Sequence, residues 1–260
     1  MHLLKLITQP RHAGSSRLGG FAAVLGISLA GASVLAPHPA FSETKGVIEL
    51  FTSQGCSSCP PADELLGEYA RNNPDLLVLS MPVTYWDYLG WKDTFAQQAF
   101  TDRQYGYAKR RSDRSVYTPQ AVINGENHTV GSDAKKINGL LNEGSLPVSV
   151  TMTADGSDFV IDIGEDKSKG EAIVWLTLFQ KTGSVTIGRG ENRDRKVTYT
   201  NIVKEMRPIA KWSGAPMSVR LPKNQLLGDG HDGVAVILQT KANELPGKIL
   251  GASSWISKNS

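Results

Sequence analysis

The sequence predicts an α/β domain followed by an all-β, sandwich-like domain. Residues 43–145 alternate short apolar runs with stretches of helical periodicity, whereas beyond Pro147 the chain becomes a succession of β-type runs separated by turn residues. An apolar segment near the N-terminus sets residues 1–42 apart as a leader.

Val47–Ser53 (VIELFTS) reads as the first strand, and Pro60–Arg71 as a helix with Leu65, Leu66, Tyr69 and Ala70 at helical spacing. Prolines at 60 and 61 fit only the first turn of that helix, so Ser58 or Cys59 is expected as its cap, with Cys56 one turn outside. Leu76–Tyr85 reads as a second strand, and Pro82, which has no N–H to donate, suits a sheet edge. Asp93–Arg111 reads as a longer helix, acidic at its start and basic at Lys109, Arg110 and Arg111, as the helix dipole favours. Gln120–Ile123 and Glu126–Val130 flank Asn124-Gly125, a turn dipeptide that joins hairpin strands. Ser132 is then expected to cap a last helix, Asp133–Glu143. From residue 146, Val148–Thr153, Phe159–Ile163, Ile173–Phe179, Val197–Val203, Met217–Leu221, Val234–Gln239 and Ile249–Ser254 supply seven strands, for which a β-sandwich is the natural packing.

Composition narrows the function. With 40% hydrophobic and 20% charged residues the chain is globular in character. Its net charge of +3 reports the leader: Lys5, Arg11 and Arg17 lie in residues 1–42, which hold no acid, and without them the bases equal the 25 acids. No basic face for nucleic acid is expected. The leader joins this basic start to an apolar run, Phe21–Ala36, and then to small residues at Ala40-Phe41-Ser42. The run is shorter than the ~20 residues of a spanning helix. Cleavage near Glu43 is therefore expected, an uncleaved anchor being the alternative, and the mature protein is expected in the periplasm or secreted, with no stable membrane span. Cleavage leaves His128 and His231 as the only histidines, too few for a three-histidine zinc enzyme. Neither a Gly-x-Ser-x-Gly elbow nor a Walker loop occurs.

What remains is sulfur chemistry. Cys56 and Cys59 are the only cysteines, and a Cys-x-x-Cys where a strand hands over to a helix in an exported chain is a redox signature. Two intervening residues let the thiols close a small ring, so Cys56 is expected to attack a substrate disulfide and Cys59 to resolve the mixed disulfide. The same pair also fits a static clip, or two ligands of a soft metal such as Cu(I), with His128 or Met81 as a third. His231 lies in a glycine-rich turn without the closing Glu of a calcium loop.

The order β-α-β-α-β-β-α, with cysteines at the end of the first strand and Thr118-Pro119 just before the third, resembles the thioredoxin fold. The segments Glu49–Asp63 (ELFTSQGCSSCPPAD) and Tyr85–Asp93 (YWDYLGWKD) further resemble an exported bacterial thioredoxin-like family known only by the domain-of-unknown-function number twelve-twenty-three, over nearly the whole mature chain. Members often carry His-Val-Asp before Tyr-Trp where this chain has Pro82-Val83-Thr84, and the thioredoxin Trp-Cys-Gly-Pro-Cys is here Gly55-Cys56-Ser57-Ser58-Cys59. The resemblance implies that Thr118 faces the cysteines and that a cis Pro119 exposes backbone to an extended substrate. It also implies an acid near the thiols. Glu49, which interrupts an apolar strand, is the candidate acceptor of the Cys59 proton. It lies seven residues before Cys56, where thioredoxins place their acid six before, and strand alternation can turn such a residue to the other face. Tyr85, Trp86, Tyr88 and Trp91 follow the second strand and would form an aromatic rim for a peptide.

The sequence thus predicts an exported thiol-disulfide oxidoreductase with no bound cofactor, acting on a protein or peptide thiol or disulfide and regenerated by an unidentified redox partner. A Cu(I)-handling protein and a non-catalytic binding module are the rivals.

Overall fold

The computed structural model describes residues 44–228 and 230–257. The leader and its cleavage site lie outside them, and no helix among the described residues is long and apolar enough to cross a membrane.

The described chain is a mixed α/β structure with one large sheet and a second, small one. The first half runs β1 (Gly46–Thr52), α1 (Pro60–Asn72), β2 (Leu76–Pro82), α2 (Gln98–Arg111), β3 (Gln120–Ile123), β4 (Asn127–Val130) and α3 (Ala134–Glu143). The second runs β5 (Val150–Asp155), β6 (Asp158–Ile163), β7 (Ala172–Thr186), β8 (Lys196–Trp212), β9 (Met217–Pro222), β10 (Gly233–Ala242) and β11 (Leu245–Ile256). All seven strands expected after residue 146 are present.

The division at residue 145 does not interrupt the large sheet, whose order is β11-β10-β7-β8-β2-β1-β3-β4. The seam between the halves is the parallel contact of β2 with β8, a single ladder pair at Ser80 and Ile202. Side chains reinforce it: Asn201 Nδ2 donates to the Val78 carbonyl at 2.9 Å, and Ser80 Oγ to that of Thr200 at 2.8 Å. Asn201 reaches across because its backbone is left-handed (φ 50°), a conformation asparagine tolerates.

β2 is therefore an interior strand. Pro82 is accommodated because it is the last residue of β2, where the ladder is carried on by the Val83 N–H donating to Thr52 O at 2.9 Å. The strand stops there, short of Tyr85. Helix α2 likewise begins at Gln98, five residues beyond the expected start: the Asp93 carboxylate accepts from the N–H groups of Phe95 and Ala96 and closes a separate turn. The cap of α3 is Asp133, which accepts from the Lys136 N–H at 3.0 Å, one residue beyond Ser132. The β3–β4 hairpin is as expected, with left-handed Asn124 (φ 50°) and Gly125 (φ 69°).

Strand alternation sorts the core. Ile48 and Leu50 of β1 pack with Leu66 of α1 and Ile137 of α3, while Val47 and Phe51 face Phe100 and Tyr107 of α2. The three-stranded antiparallel sheet β5-β6-β9 covers Val174, Leu176, Val236 and Leu238 of the large sheet, through Met152, Phe159, Ile161 and Val219. The other side of those strands, at Phe179, Ala235 and Ile237, faces the α2 core, so α2 bridges both halves.

Candidate functional site

The end of β1 turns through Ser53–Ser58 into α1. Cys59 is the N-cap, with proline at the first helical positions. The turn is tied by Cys56 N–H to Ser53 O and Cys59 N–H to Cys56 O, both 3.2 Å. This brings the Cα atoms of Cys56 and Cys59 to 5.4 Å, and the two sulfurs are joined in a disulfide. Cys56 stands one turn outside the helix, as the prolines required. Ser57 and Ser58 are exposed, but Cys56 is 1% and Cys59 0% exposed.

Two segments cover the pair. From the β7–β8 loop, the buried Asn192 donates its amide to the carbonyls of Cys56 (2.7 Å) and Gln54 (3.0 Å). From the segment after β2, Trp91 Nε1 donates to Gln54 Oε1 at 2.8 Å and Asp93 Oδ2 accepts the Gln54 N–H at 2.8 Å. Trp86 lies against Gly55, where a Cβ would meet the Trp86 Cβ at 3.1 Å. A side chain at 55 would also meet the Trp86 carbonyl at 3.2 Å, so this contact would have to open by a few tenths of an ångström.

Trp86 Nε1 donates to Thr118 Oγ1 at 2.7 Å, which joins the expected aromatic rim to the expected substrate strand. The Thr118-Pro119 bond is cis. Tyr88, 77% exposed, stacks on Trp86 with centroids 6.4 Å apart. Tyr85 lies beside this group, and burial pushes its phenol up to about 12. Tyr85, Trp86, Thr118 and Pro119 are thus assembled with the cysteine turn.

Glu49 is not. It is fully buried on the α2 face of β1, with Val47 and Phe51 as its same-face neighbours. Its Oε1 accepts from Arg103 Nε at 2.7 Å and its Oε2 from the Tyr107 hydroxyl. Both oxygens are used, so the residue expected as a proton acceptor for Cys59 is bound elsewhere. The acid that α1 does place beside the pair is Asp63, one turn after Cys59 on the same helix face, with its N–H on Cys59 O at 3.1 Å. Asp63 is 3% exposed and neither carboxyl oxygen has a hydrogen-bond partner of standard geometry. Burial holds its pKa well above the ordinary value; the nearby Thr52 hydroxyl counteracts this in part, and the Asp93 carboxylate adds to it. A cleft of about 320 Å³ between α1 and β8, lined by Pro60, Asp63, Glu64, Lys196 and Thr198, leads outward from it. In the sequence Asp63 stands out only as an acid in the first turn of α1, where the helix dipole favours one. Asn192 gave no local signal at all.

His128 and Met81 do not join the cysteines. Met81 is buried in the apolar core, and His128 spends Nδ1 on the Tyr117 hydroxyl (2.8 Å) and Nε2 on Asp113 (3.0 Å). Among the described residues no three His, Cys, Asp or Glu side chains cluster as metal ligands would.

The family described as "Protein of unknown function (DUF1223)" matches residues 47–239. A crystal structure of a protein from Agrobacterium tumefaciens, a structural genomics target, is 39% identical, covers 84% of this chain and 96% of its own, and superposes with a TM-score of 0.75. No curated protein matches the chain.

Proposed function

The chain belongs to the DUF1223 family of proteins of unknown function, and we propose that it is an exported thiol-disulfide oxidoreductase on a thioredoxin-like scaffold. The observation that carries this reading is the disulfide-forming Cys56/Cys59 pair at the strand-to-helix turn, with Trp86 and Thr118 packed at the turn and a buried acid, Asp63, one helical turn after Cys59. The order β1-α1-β2-α2-β3-β4-α3 and its strand neighbours are compatible with the scaffold.

In the reducing direction the Cys56 thiolate attacks one sulfur of a substrate disulfide, the substrate S–S bond breaks, and its other sulfur leaves as a thiolate. Cys59 then loses its proton to Asp63 and attacks the Cys56 sulfur, forming the intramolecular disulfide and expelling the second substrate thiolate. Two electrons pass to the substrate, and a dithiol partner returns them by the reverse sequence. A carboxyl whose pKa is raised by burial is matched to this exchange better than an ordinary one. The exposed Tyr88 ring stacked on Trp86 would offer an aromatic surface to an extended peptide.

Burial of both sulfurs favours a second reading, a static clip. Equilibration in glutathione redox buffers with trapping of free thiols separates the two. A reversible transition between roughly −120 and −270 mV is expected for an exchange catalyst. A pair still oxidised in all these buffers, with a potential below about −300 mV, would overturn the enzyme reading.

A further inference from the structure

The Glu49 cluster belongs to a different cavity. A hollow of about 450 Å³ lies where α2 meets the second-half strands, and it shares no lining residue with the cysteine turn. Its apolar walls are Phe100, Trp175, Met206, Leu245 and Pro246, and Arg103 lines it as well. Volumes of this size, at the junction of two parts of a chain and mostly apolar with few fixed polar groups, are typical of small-molecule sites.

Arg103 is the fixed polar group. Its side chain is only 8% exposed, and three of its donors are committed: Nε to Glu49, and Nη2 to the Tyr107 hydroxyl (3.0 Å) and Gln239 Oε1 (2.9 Å). Tyr107 and Gln239 are themselves 0% exposed, and Gln239 Nε2 is used on Tyr107 and on Gly247 O. The guanidinium stands 5.9 Å over the Trp175 ring. Among the described residues Nη1 has no hydrogen-bond partner, and it is not sealed from the surface, so it is the nitrogen of this network left to a guest in the hollow. A network this completely satisfied holds the arginine in a single orientation.

Charge selects the guest. Arg103 is neutralised by Glu49, Lys241 by Glu244, and Lys204 stands over the Phe95 ring, while Asp102 and Glu205 also line the hollow. A carboxylate would therefore find no surplus positive charge to repay its desolvation. We propose that this cavity binds a neutral, largely apolar molecule whose carbonyl oxygen accepts from Arg103 Nη1. Glu49 is then a positioning residue for that arginine. The site stands independently of the oxidoreductase reading.

Benzophenone, a neutral apolar ketone that labels nearby C–H bonds on irradiation, is the probe. Saturable labelling of the full-length protein is expected, mapped by peptide mass spectrometry to Phe100, Met206 or the Leu245-Pro246 segment. Diphenylmethane, which lacks the carbonyl, should compete at least tenfold more weakly than unlabelled benzophenone, the order expected for one charged hydrogen bond. The anionic 4-benzoylbenzoate should also label at least tenfold less. Labelling that does not saturate or maps elsewhere, equal competition by diphenylmethane, or preferred labelling by the benzoate would each overturn the proposal.

Discussion

Two carboxylates lie buried on elements that meet at the same strand, and they are treated in opposite ways. Glu49 on β1 is enclosed by Arg103 and Tyr107, with both oxygens bonded. Asp63 on α1 is nearly as deeply buried, and among the described residues neither oxygen has a partner of standard geometry, the Thr52 hydroxyl alone lying near. Burial alone thus says little about an acid's role. A buried acid with a full set of donors holds structure, and one without them is free to exchange a proton.

The strongest test of that contrast is Glu49→Ala. It strands the Arg103 charge in the interior and is expected to cost about 3–5 kcal/mol in urea unfolding, as removal of one partner of a buried pair does. The reduction potential of the cysteine pair should stay as in the parent; a large change in potential would return Glu49 to the thiols. Asp63→Asn comes next. The native pKa of Asp63 is raised above 3.8, so the folded state holds a proton that the unfolded chain releases. Stability is therefore present at low pH and falls as pH rises above about 4, by at most ~1.4 kcal/mol per pH unit for one proton, until the folded pKa is passed. The asparagine variant should lack this fall and become more stable than the parent with rising pH, while its thiol exchange slows. Parallel stability curves from pH 4 to 8 would remove Asp63 from the mechanism.

The smallest effect is expected from Asn192→Ala, which leaves the Gln54 and Cys56 carbonyls without their amide donor. A loss of about 1–2 kcal/mol is expected, together with roughly tenfold faster reduction of the disulfide by dithiothreitol as the cover loosens. An unchanged reduction rate would show that access to Cys56 lies on another side.

The parts of the fold legible in the sequence are those written in local chemistry. Asn124-Gly125 announced its hairpin, and Pro60-Pro61 fixed where α1 starts. The role of Glu49 was not among them: its seven-residue spacing to Cys56 left its face open, and only Arg103 and Tyr107 decide it. What stayed hidden depends on distant partners. Pro82 looked like an edge residue because nothing in its neighbourhood announces β8, which arrives some 120 residues later beside Ser80. Asp93 looked like the first residue of a helix because its actual ligands include Gln54 N–H, 39 positions away. Asn192 reads as an ordinary polar loop residue until the fold lays it on the cysteine turn.

That last contact also bears on the order of events in the life of the chain. Asn192 follows Cys56 by 136 positions. During synthesis the two thiols are made before the residue that closes over the Cys56 carbonyl exists. Before Asn192 docks the pair sits in an open loop; once it docks, the carbonyls of Gln54 and Cys56 are tied and the turn is closed. A nascent chain and a finished protein therefore present the same two sulfurs in different surroundings.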